Sequence, residues 1–275
     1  MSIKTQFFCS FIILFNWPFS SLAAISEVVS QPHIEVSLVS DLDSVAPGSV
    51  VTVGLHLNPD PDWHVYWLNP GDSGMPPKIQ WDLPSQVQAS AIFWPYPEKI
   101  PVEHLVNYGY HADVVLPVEL TIDNAFDQNK LEFKANTSWL VCQEICIPGK
   151  AALTLSLPVN KAAGSKQAAQ ITQFKHRYPE DLPLLDGTVK LQNDNIVIEV
   201  YATKKAFDQA KHIEFFAINE NLIEYAQPAD IHWKNNFLTI SQQRSLTFTK
   251  IPETVEGVIV VDHSSAWRFR ISNSL

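Results

Sequence analysis

The chain has 275 residues, of which 46% are hydrophobic and 17% charged, and this composition is neither disordered nor collagen-like. The 19 basic and 29 acidic residues give a net charge of −10, which argues against nucleic acid and anionic lipid as partners. Eight tryptophans, seven tyrosines and 15 phenylalanines favour β structure, in a chain long enough for one large core or two smaller ones.

Residues 1–24 have the pattern of a secretory signal peptide. Lys4 provides a short positive region, an apolar stretch follows to Phe19, and the small residues Ala23 and Ala24 suit cleavage. The stretch is shorter than the roughly 20 residues that a membrane-spanning helix needs. An uncleaved N-terminal anchor is the alternative. We expect export to the periplasm and a mature chain that is not inserted in the membrane.

Alternating apolar residues predict half-buried strands in residues 25–160, separated by turn-rich segments. The residues that share strand faces are Ile34/Val36/Leu38, Val51/Val53/Leu55/Leu57, Val114/Leu116/Val118/Leu120/Ile122 and Leu153/Leu155/Leu157. Short strands without intervening helical patterns are typical of a β-sandwich.

Residues 161–184 are predicted to form a linker with a short helix, because Ala168, Ile171 and Phe174 recur at helical spacing. Strand alternation then resumes over residues 185–275, including Leu246/Phe248 and Trp267/Phe269/Ile271. The sequence therefore predicts an all-β protein of two immunoglobulin-like β-sandwich domains joined by a short helical linker.

Cys142 and Cys146 are the only cysteines that remain once Cys9 leaves with the signal peptide. An even pair in an exported chain suggests a disulfide. Its Cα atoms would have to lie within ~7 Å, whereas four extended residues span about 13 Å, so the pair needs a turn. So small a loop contributes little to the fold, which makes a redox role attractive. A static bridge or two buried thiols remain the alternatives.

Other candidate site residues surround this pair in our interpretation. Glu144 lies between the cysteines, where its charge would raise the pKa of a free thiol, although it also fits an ordinary solvated loop. Residues 94–110 are rich in aromatic residues and broken by prolines, which predicts a long loop able to cover a reactive site. His64, His104 and His111 could approach the cysteines, but no histidine spacing of a metal site is present, and we expect no metal and no cofactor.

Several motifs resemble the periplasmic N-terminal domain of the DsbD/ScsB family of thiol:disulfide interchange proteins. They are Trp63-His-Val-Tyr-Trp-Leu-Asn-Pro-Gly-Asp-Ser-Gly74, Ile92-Phe-Trp-Pro95, Tyr108-Gly-Tyr110, Leu116-Pro-Val118 and Cys142-Gln-Glu-Ile-Cys-Ile-Pro148. Weaker motifs of the second half, Phe215-Phe216 and Gly257-Val-Ile-Val260, are similar to the extension of the ScsB type.

The resemblance implies an immunoglobulin-like domain that takes electrons from a DsbD/ScsB-like membrane conduit and passes them to thioredoxin-like periplasmic proteins. It implies that Cys142 and Cys146 are the redox pair, and it favours Cys146 as the sulfur that forms mixed disulfides. Tyr66 matches an aromatic residue beside the pair, with His64, Tyr108 and Tyr110 in the surrounding motifs, and the segment before Tyr108 matches a shielding cap.

The sequence also departs from the DsbD pattern. DsbD has a wider cysteine spacing and a tyrosine where His64 falls in this chain. The sequence as given contains neither a membrane conduit nor a thioredoxin domain, so we expect the electron donor to be a separate protein. Two other functions remain open: a Cu(I)-handling module for copper tolerance, with the two thiolates as soft ligands, and a non-catalytic binding sandwich.

Overall fold

The computed structural model describes residues 24–182, 184–202 and 207–273, which are 58% strand and 4% helix over the chain. The strands are β1 (Val29–Gln31), β2 (Ile34–Ser40), β3 (Leu42–Ser44), β4 (Val50–Pro59), β5 (Val65–Gly71), β6 (Lys78–Asp82), β7 (Val87–Ala89), β8 (Glu98–Val102), β9 (Leu105–Tyr110), β10 (Val114–Ile122), β11 (Lys130–Cys142), β12 (Cys146–Pro158), β13 (Ala163–Gly164), β14 (Glu180–Asp181), β15 (Leu184–Gln192), β16 (Asn195–Ala202), β17 (Ile213–Ala217), β18 (Asp230–Lys234), β19 (Phe237–Gln243), β20 (Thr254–Val261) and β21 (Ser265–Ser272), and the helix is α1 (Ala168–Lys175). The all-β immunoglobulin-like fold predicted from the sequence is confirmed.

The first half is built around a five-stranded sheet of order β1-β2-β4-β10-β7 and a three-stranded sheet of order β12-β11-β6. The apolar faces predicted from alternation are buried in β2, β4, β10 and β12. In β11 the buried residues Leu131, Phe133 and Ala135 alternate with exposed ones, as expected for a strand with one face on the core. The long β11–β12 hairpin carries both cysteines at its tip.

The predicted helix is present as α1, and it packs against β10 and β2. Ile171 and Phe174 are buried, which is the apolar stripe that the sequence indicated. Lys175 at the end of the helix donates a hydrogen bond to Thr52 Oγ1 at 2.7 Å. The helix is thereby fixed to the sheet of the first half.

The second half contains two four-stranded sheets, of orders β14-β21-β20-β17 and β15-β16-β19-β18. Most predicted strands are found there, but the strand expected at Leu246 and Phe248 is wrong. That segment forms a turn after β19, and Leu246 is 83% exposed. Two alternating apolar residues without a partner strand do not make a strand.

A third sheet of the first half, of order β5-β9-β8, packs against the second half. The ring centroid of Tyr108 on β9 lies 5.0 Å from that of Phe216 and 5.1 Å from that of Tyr225. The amide nitrogen of buried Asn69 donates hydrogen bonds to the carbonyl oxygen of Ala217 and to the hydroxyl of Tyr225. Aromatic packing and buried hydrogen bonds therefore join the halves.

The long loop expected at residues 94–110 is instead mostly the β8–β9 hairpin. Pro101 lies inside β8, and β8 is an edge strand, where the missing N–H of proline costs no sheet hydrogen bond. Pro95 and Pro97 precede the strand. The prolines therefore mark the start and the edge position of a strand rather than a loop.

The predicted signal peptide lies outside the described residues except for Ala24, whose side chain is buried. Within the part of the chain that the structure describes, no helix is long and apolar enough to cross a membrane.

Candidate functional site

Cys142 and Cys146 form a disulfide at the tip of the β11–β12 hairpin. Cys142 ends β11, Cys146 begins β12, and the two residues face each other with their Cα atoms 4.2 Å apart. The turn between them is closed by a hydrogen bond from the Gln143 N–H to the Ile145 carbonyl oxygen. The sequence-based expectation that the pair requires a turn is confirmed.

The two cysteine residues differ in their exposure to solvent. Cys142 is 1% exposed, whereas Cys146 belongs to the exposed residues 143–146 of the hairpin tip. Its neighbour Ile145 is 66% exposed, which is unusual for a large apolar side chain. Thiol–disulfide exchange needs an incoming thiolate to reach a sulfur, and only Cys146 offers that access.

Tyr66 on β5 lies directly beside the accessible sulfur. Its hydroxyl oxygen is 3.4 Å from Cys146 Sγ, and the residue is fully buried. A sulfur in a disulfide carries no hydrogen, so the phenol is the donor in this contact. Burial raises the pKa of Tyr66, against the opposite effect of a hydrogen bond with Ser73. The phenol therefore keeps its proton at neutral pH.

The turn after β5 fixes the ring of Tyr66 in this position. Gly74 has φ +95°, and a Cβ built on it would lie 2.2 Å from two ring atoms of Tyr66. The neighbouring Ser73 N–H and hydroxyl both donate to Asn107 Oδ1. These supporting roles were not predicted from the sequence, although Ser73 and Gly74 end the longest motif of the family resemblance.

His64 is held next to Cys142 by the backbone. The two residues exchange N–H···O hydrogen bonds of 2.9 and 3.0 Å. The His64 residue is 2% exposed, its imidazole packs edge-on against Tyr66, and Nε2 has no hydrogen-bond partner among the described residues. Burial, assisted by the nearby His111, lowers the pKa of His64 to about 4. The imidazole is therefore neutral at physiological pH.

The lowered pKa of His64 predicts a loss of stability in acid. An unfolded histidine titrates near 6.5, so between about pH 6.5 and pH 4 the unfolded chain binds a proton that the folded one does not. We expect His64 to remove about 2–3 kcal/mol of unfolding free energy between pH 7 and pH 4. Urea titrations of wild type and His64→Phe at both pH values measure this difference, which the variant should lack. Equal pH dependence in the two proteins would contradict the prediction.

A cleft of about 280 Å³ lies beside the disulfide. One wall is formed by Gln143 and Glu144 of the cysteine turn, and the other by the tip of the β8–β9 hairpin at Val102 and Glu103. The hairpin, a candidate for the shielding cap, therefore forms a wall of this cleft and leaves Cys146 exposed. Glu144 is an exposed residue at the edge of the cleft, as a solvated loop acid would be.

The remaining site residues suggested by the sequence lie away from the disulfide. Tyr108 is buried between the two halves, and the Tyr110 hydroxyl donates to the Pro95 carbonyl oxygen, so neither makes a described contact with the disulfide. His111 comes within 5.9 Å of the His64 ring, measured between centroids. His104 is exposed at the hairpin tip beside Glu103. The structure thus brings together the cysteines, Tyr66 and His64.

Comparison with known proteins supports the resemblance to the DsbD/ScsB family. Residues 35–158 match the family described as thiol:disulfide interchange protein DsbD, N-terminal. The structure resembles the crystal structure of the N-terminal periplasmic domain of ScsB from Proteus mirabilis, with a TM-score of 0.67, 17% identity, and coverage of 91% of this chain and 98% of that one. That likeness shows a shared fold over both halves.

A conserved domain protein from Bacillus anthracis gives a TM-score of 0.27 at 10% identity, covering 88% of this chain and 81% of that one. No curated protein sequence matches the chain.

Proposed function

We propose that this chain is a dithiol–disulfide carrier of the periplasm, because residues 35–158 match the family described as thiol:disulfide interchange protein DsbD, N-terminal. It exchanges electrons between a DsbD/ScsB-like membrane conduit and thioredoxin-like proteins, with Cys142 and Cys146 as the redox pair. The observation that carries the proposal is the difference in exposure between the two cysteines. Cys146 is an exposed residue at a hairpin tip, whereas Cys142 is buried.

Reduction of the disulfide takes two steps in this proposal. A partner thiolate attacks Cys146 Sγ, the bond to Cys142 breaks, and Cys142 leaves as a thiolate that takes up a proton. The second partner thiolate then attacks the mixed disulfide and releases Cys146. The partner is oxidised to a disulfide, and two electrons and two protons reside on the cysteine pair. The reverse sequence passes them to the next protein.

Tyr66 assists the step in which Cys146 carries negative charge. A phenol 3.4 Å from the sulfur can donate a hydrogen bond to a thiolate, which favours the charged form. His64 is proposed as a positioning residue, because its backbone pairs with that of Cys142 and its ring packs on Tyr66. Glu144 at the edge of the cleft is proposed to discourage exchange with non-cognate anionic thiols.

Single-cysteine variants test which sulfur reacts. The probe is a thioredoxin-like protein with one active-site cysteine, activated as a mixed disulfide with thionitrobenzoate. We expect the reduced Cys142→Ser variant to displace thionitrobenzoate and to accumulate a stable mixed disulfide through Cys146. The matched Cys146→Ser variant should react at least about tenfold more slowly, since Cys142 is buried. Equal rates, or faster reaction of Cys142, would contradict the proposed roles.

The copper-handling alternative predicts a different behaviour of the same pair. It requires both sulfurs as thiolates with Cu(I) bound between them. Measuring bound copper together with the number of free thiols, before and after mild reduction, separates the two functions. A carrier gains two free thiols on reduction, whereas a Cu(I) module retains stoichiometric copper and shields both thiols.

A further inference from the structure

Three potential metal ligands meet at one edge of the second half, far along the sequence from the cysteine pair. His212 precedes β17, Glu214 lies on β17, and His263 lies in the turn between β20 and β21. β17 and β20 are neighbours in one sheet, with Ile213 opposite Val261. This pairing brings the β20–β21 turn next to the start of β17, so the three side chains converge.

The distances between the ligand atoms suit a tetrahedral cation. Glu214 Oε2 lies 3.2 Å from His263 Nδ1 and 3.7 Å from His212 Nε2. All three ligand atoms lie within 4.8 Å of one another. Zinc bonds of about 2.0–2.1 Å in a tetrahedron place neighbouring ligand atoms about 3.3 Å apart. Small side-chain rotations would therefore complete three bonds to one metal ion.

The backbone around these ligands is already fixed. Asp262 Oδ1 accepts hydrogen bonds from the N–H groups of Lys211 and His212, and the Asp262 N–H donates to the His212 carbonyl oxygen. The His263 carbonyl oxygen accepts a hydrogen bond from Tyr96 of the first half. The two segments that carry the histidines are thus bound to each other and to the opposite half, which lowers the entropic cost of ligation.

The site opens on a cleft of about 670 Å³ between the two halves, lined by Glu214 and His263 on one side and by Tyr96, Glu98 and Lys99 on the other. Arg177, also in the cleft, pairs with Glu98, and Lys99 lies near enough to Glu214 to interact with its charge. We propose that His212, Glu214 and His263 bind a divalent transition-metal cation, with Zn²⁺ as the best match, and leave a fourth coordination position facing this cleft. Imidazole and carboxylate are ligands that Zn²⁺ accepts, and two histidines with one glutamate form a recognised three-ligand set.

The test uses Zn²⁺ alone, added to tag-free protein with its disulfide oxidised, so that no thiolate can bind metal. Isothermal titration should show one site per chain. His263→Asn, which keeps a residue suited to the positive φ of 52° at this turn, and Glu214→Gln should each weaken binding at least tenfold. His232→Ala is the matched control, because His232 is an exposed histidine paired only with Asp230 among the described contacts, and it should bind Zn²⁺ like wild type.

A second readout reports the geometry. Co²⁺ in place of Zn²⁺ should give the intense visible absorption of a tetrahedral site, and Glu214→Gln should reduce it. Absence of Zn²⁺ binding, or binding unchanged in both ligand variants, would overturn the proposal. Because the oxidised cysteine pair takes no part, either result leaves the carrier function untouched.

Discussion

Replacement of both Cys142 and Cys146 by serine is expected to abolish electron transfer while leaving both halves folded. Loop-entropy arithmetic for a loop of about five residues gives roughly 2 kcal/mol of stabilisation by the disulfide. For a chain of this size that corresponds to a fall in melting temperature of about 4–8 °C. The backbone ladder of β11 and β12, and the bridge from Cys142 to His64, hold the hairpin tip without the sulfurs.

Thermal melting by circular dichroism measures whether the double variant stays folded. Reduction by a thioredoxin-like donor measures whether it still transfers electrons. The activity should fall below detection in the double variant. A Gln143→Ala variant, altered in the same exposed turn, is the control and should retain both properties. A double variant that unfolds outright would contradict the prediction, as would a wild-type pair that resists reduction at potentials of about −300 mV, because the bridge would then be structural.

The core strands could be predicted because their signal is local. In β4 and β10 the predicted apolar residues alternate over long stretches and are buried. Most residues between them are buried too, because α1 covers part of the other face, so these strands are more buried than alternation predicts. The same reasoning failed at Leu246 and Phe248, where no neighbouring strand pairs with the segment. Alternation and breaker residues also mislead at the β8–β9 hairpin, because prolines predict a loop and the sequence does not show which strand lies at the sheet edge.

From residue spacing alone, only the local geometry of the cysteine pair could be predicted. The short separation of Cys142 and Cys146 required a turn, and the turn is present. The proximity of Tyr66 to Cys146 and the pairing of His64 with Cys142 join the start of β5 to the tip of the β11–β12 hairpin, and these segments are distant in sequence. For Tyr66 the family resemblance supplied what composition and spacing could not.

Two other outcomes show the same limit. Tyr108 resembled a site residue because it lies in a family motif, yet it packs between the halves against Phe216 and Tyr225. The group of His212, Glu214 and His263 was missed because its third member comes from another hairpin. The spacing of His212 and Glu214, which places both on one face of a strand, was the local signal available.

Gly74→Ala is expected both to lower the free energy of unfolding and to move Tyr66 away from Cys146. The φ of +95° is unfavourable for alanine, and the new Cβ would overlap the Tyr66 ring, which is fully buried and cannot move freely. Strained backbone and overpacking together should cost about 3 kcal/mol of unfolding free energy. Gly164→Ala is the matched control, because a Cβ there meets nothing within 4 Å, and its stability should stay within about 0.5 kcal/mol of wild type.

The displacement of Tyr66 is measured separately from stability. In the Cys142→Ser background, at a temperature where the protein stays folded, Gly74→Ala should slow the reaction of Cys146 with the activated partner, and Tyr66→Phe should slow it similarly. Tyr66→Phe deletes the hydroxyl that lies 3.4 Å from the sulfur, and Gly74→Ala moves it away. Because both variants cost the same contact, combining them should slow the reaction no further. Additive losses in the combined variant would mean that Gly74 acts on the hairpin tip by a route other than the tyrosine. An unaltered rate in Tyr66→Phe would remove the phenol from the exchange step.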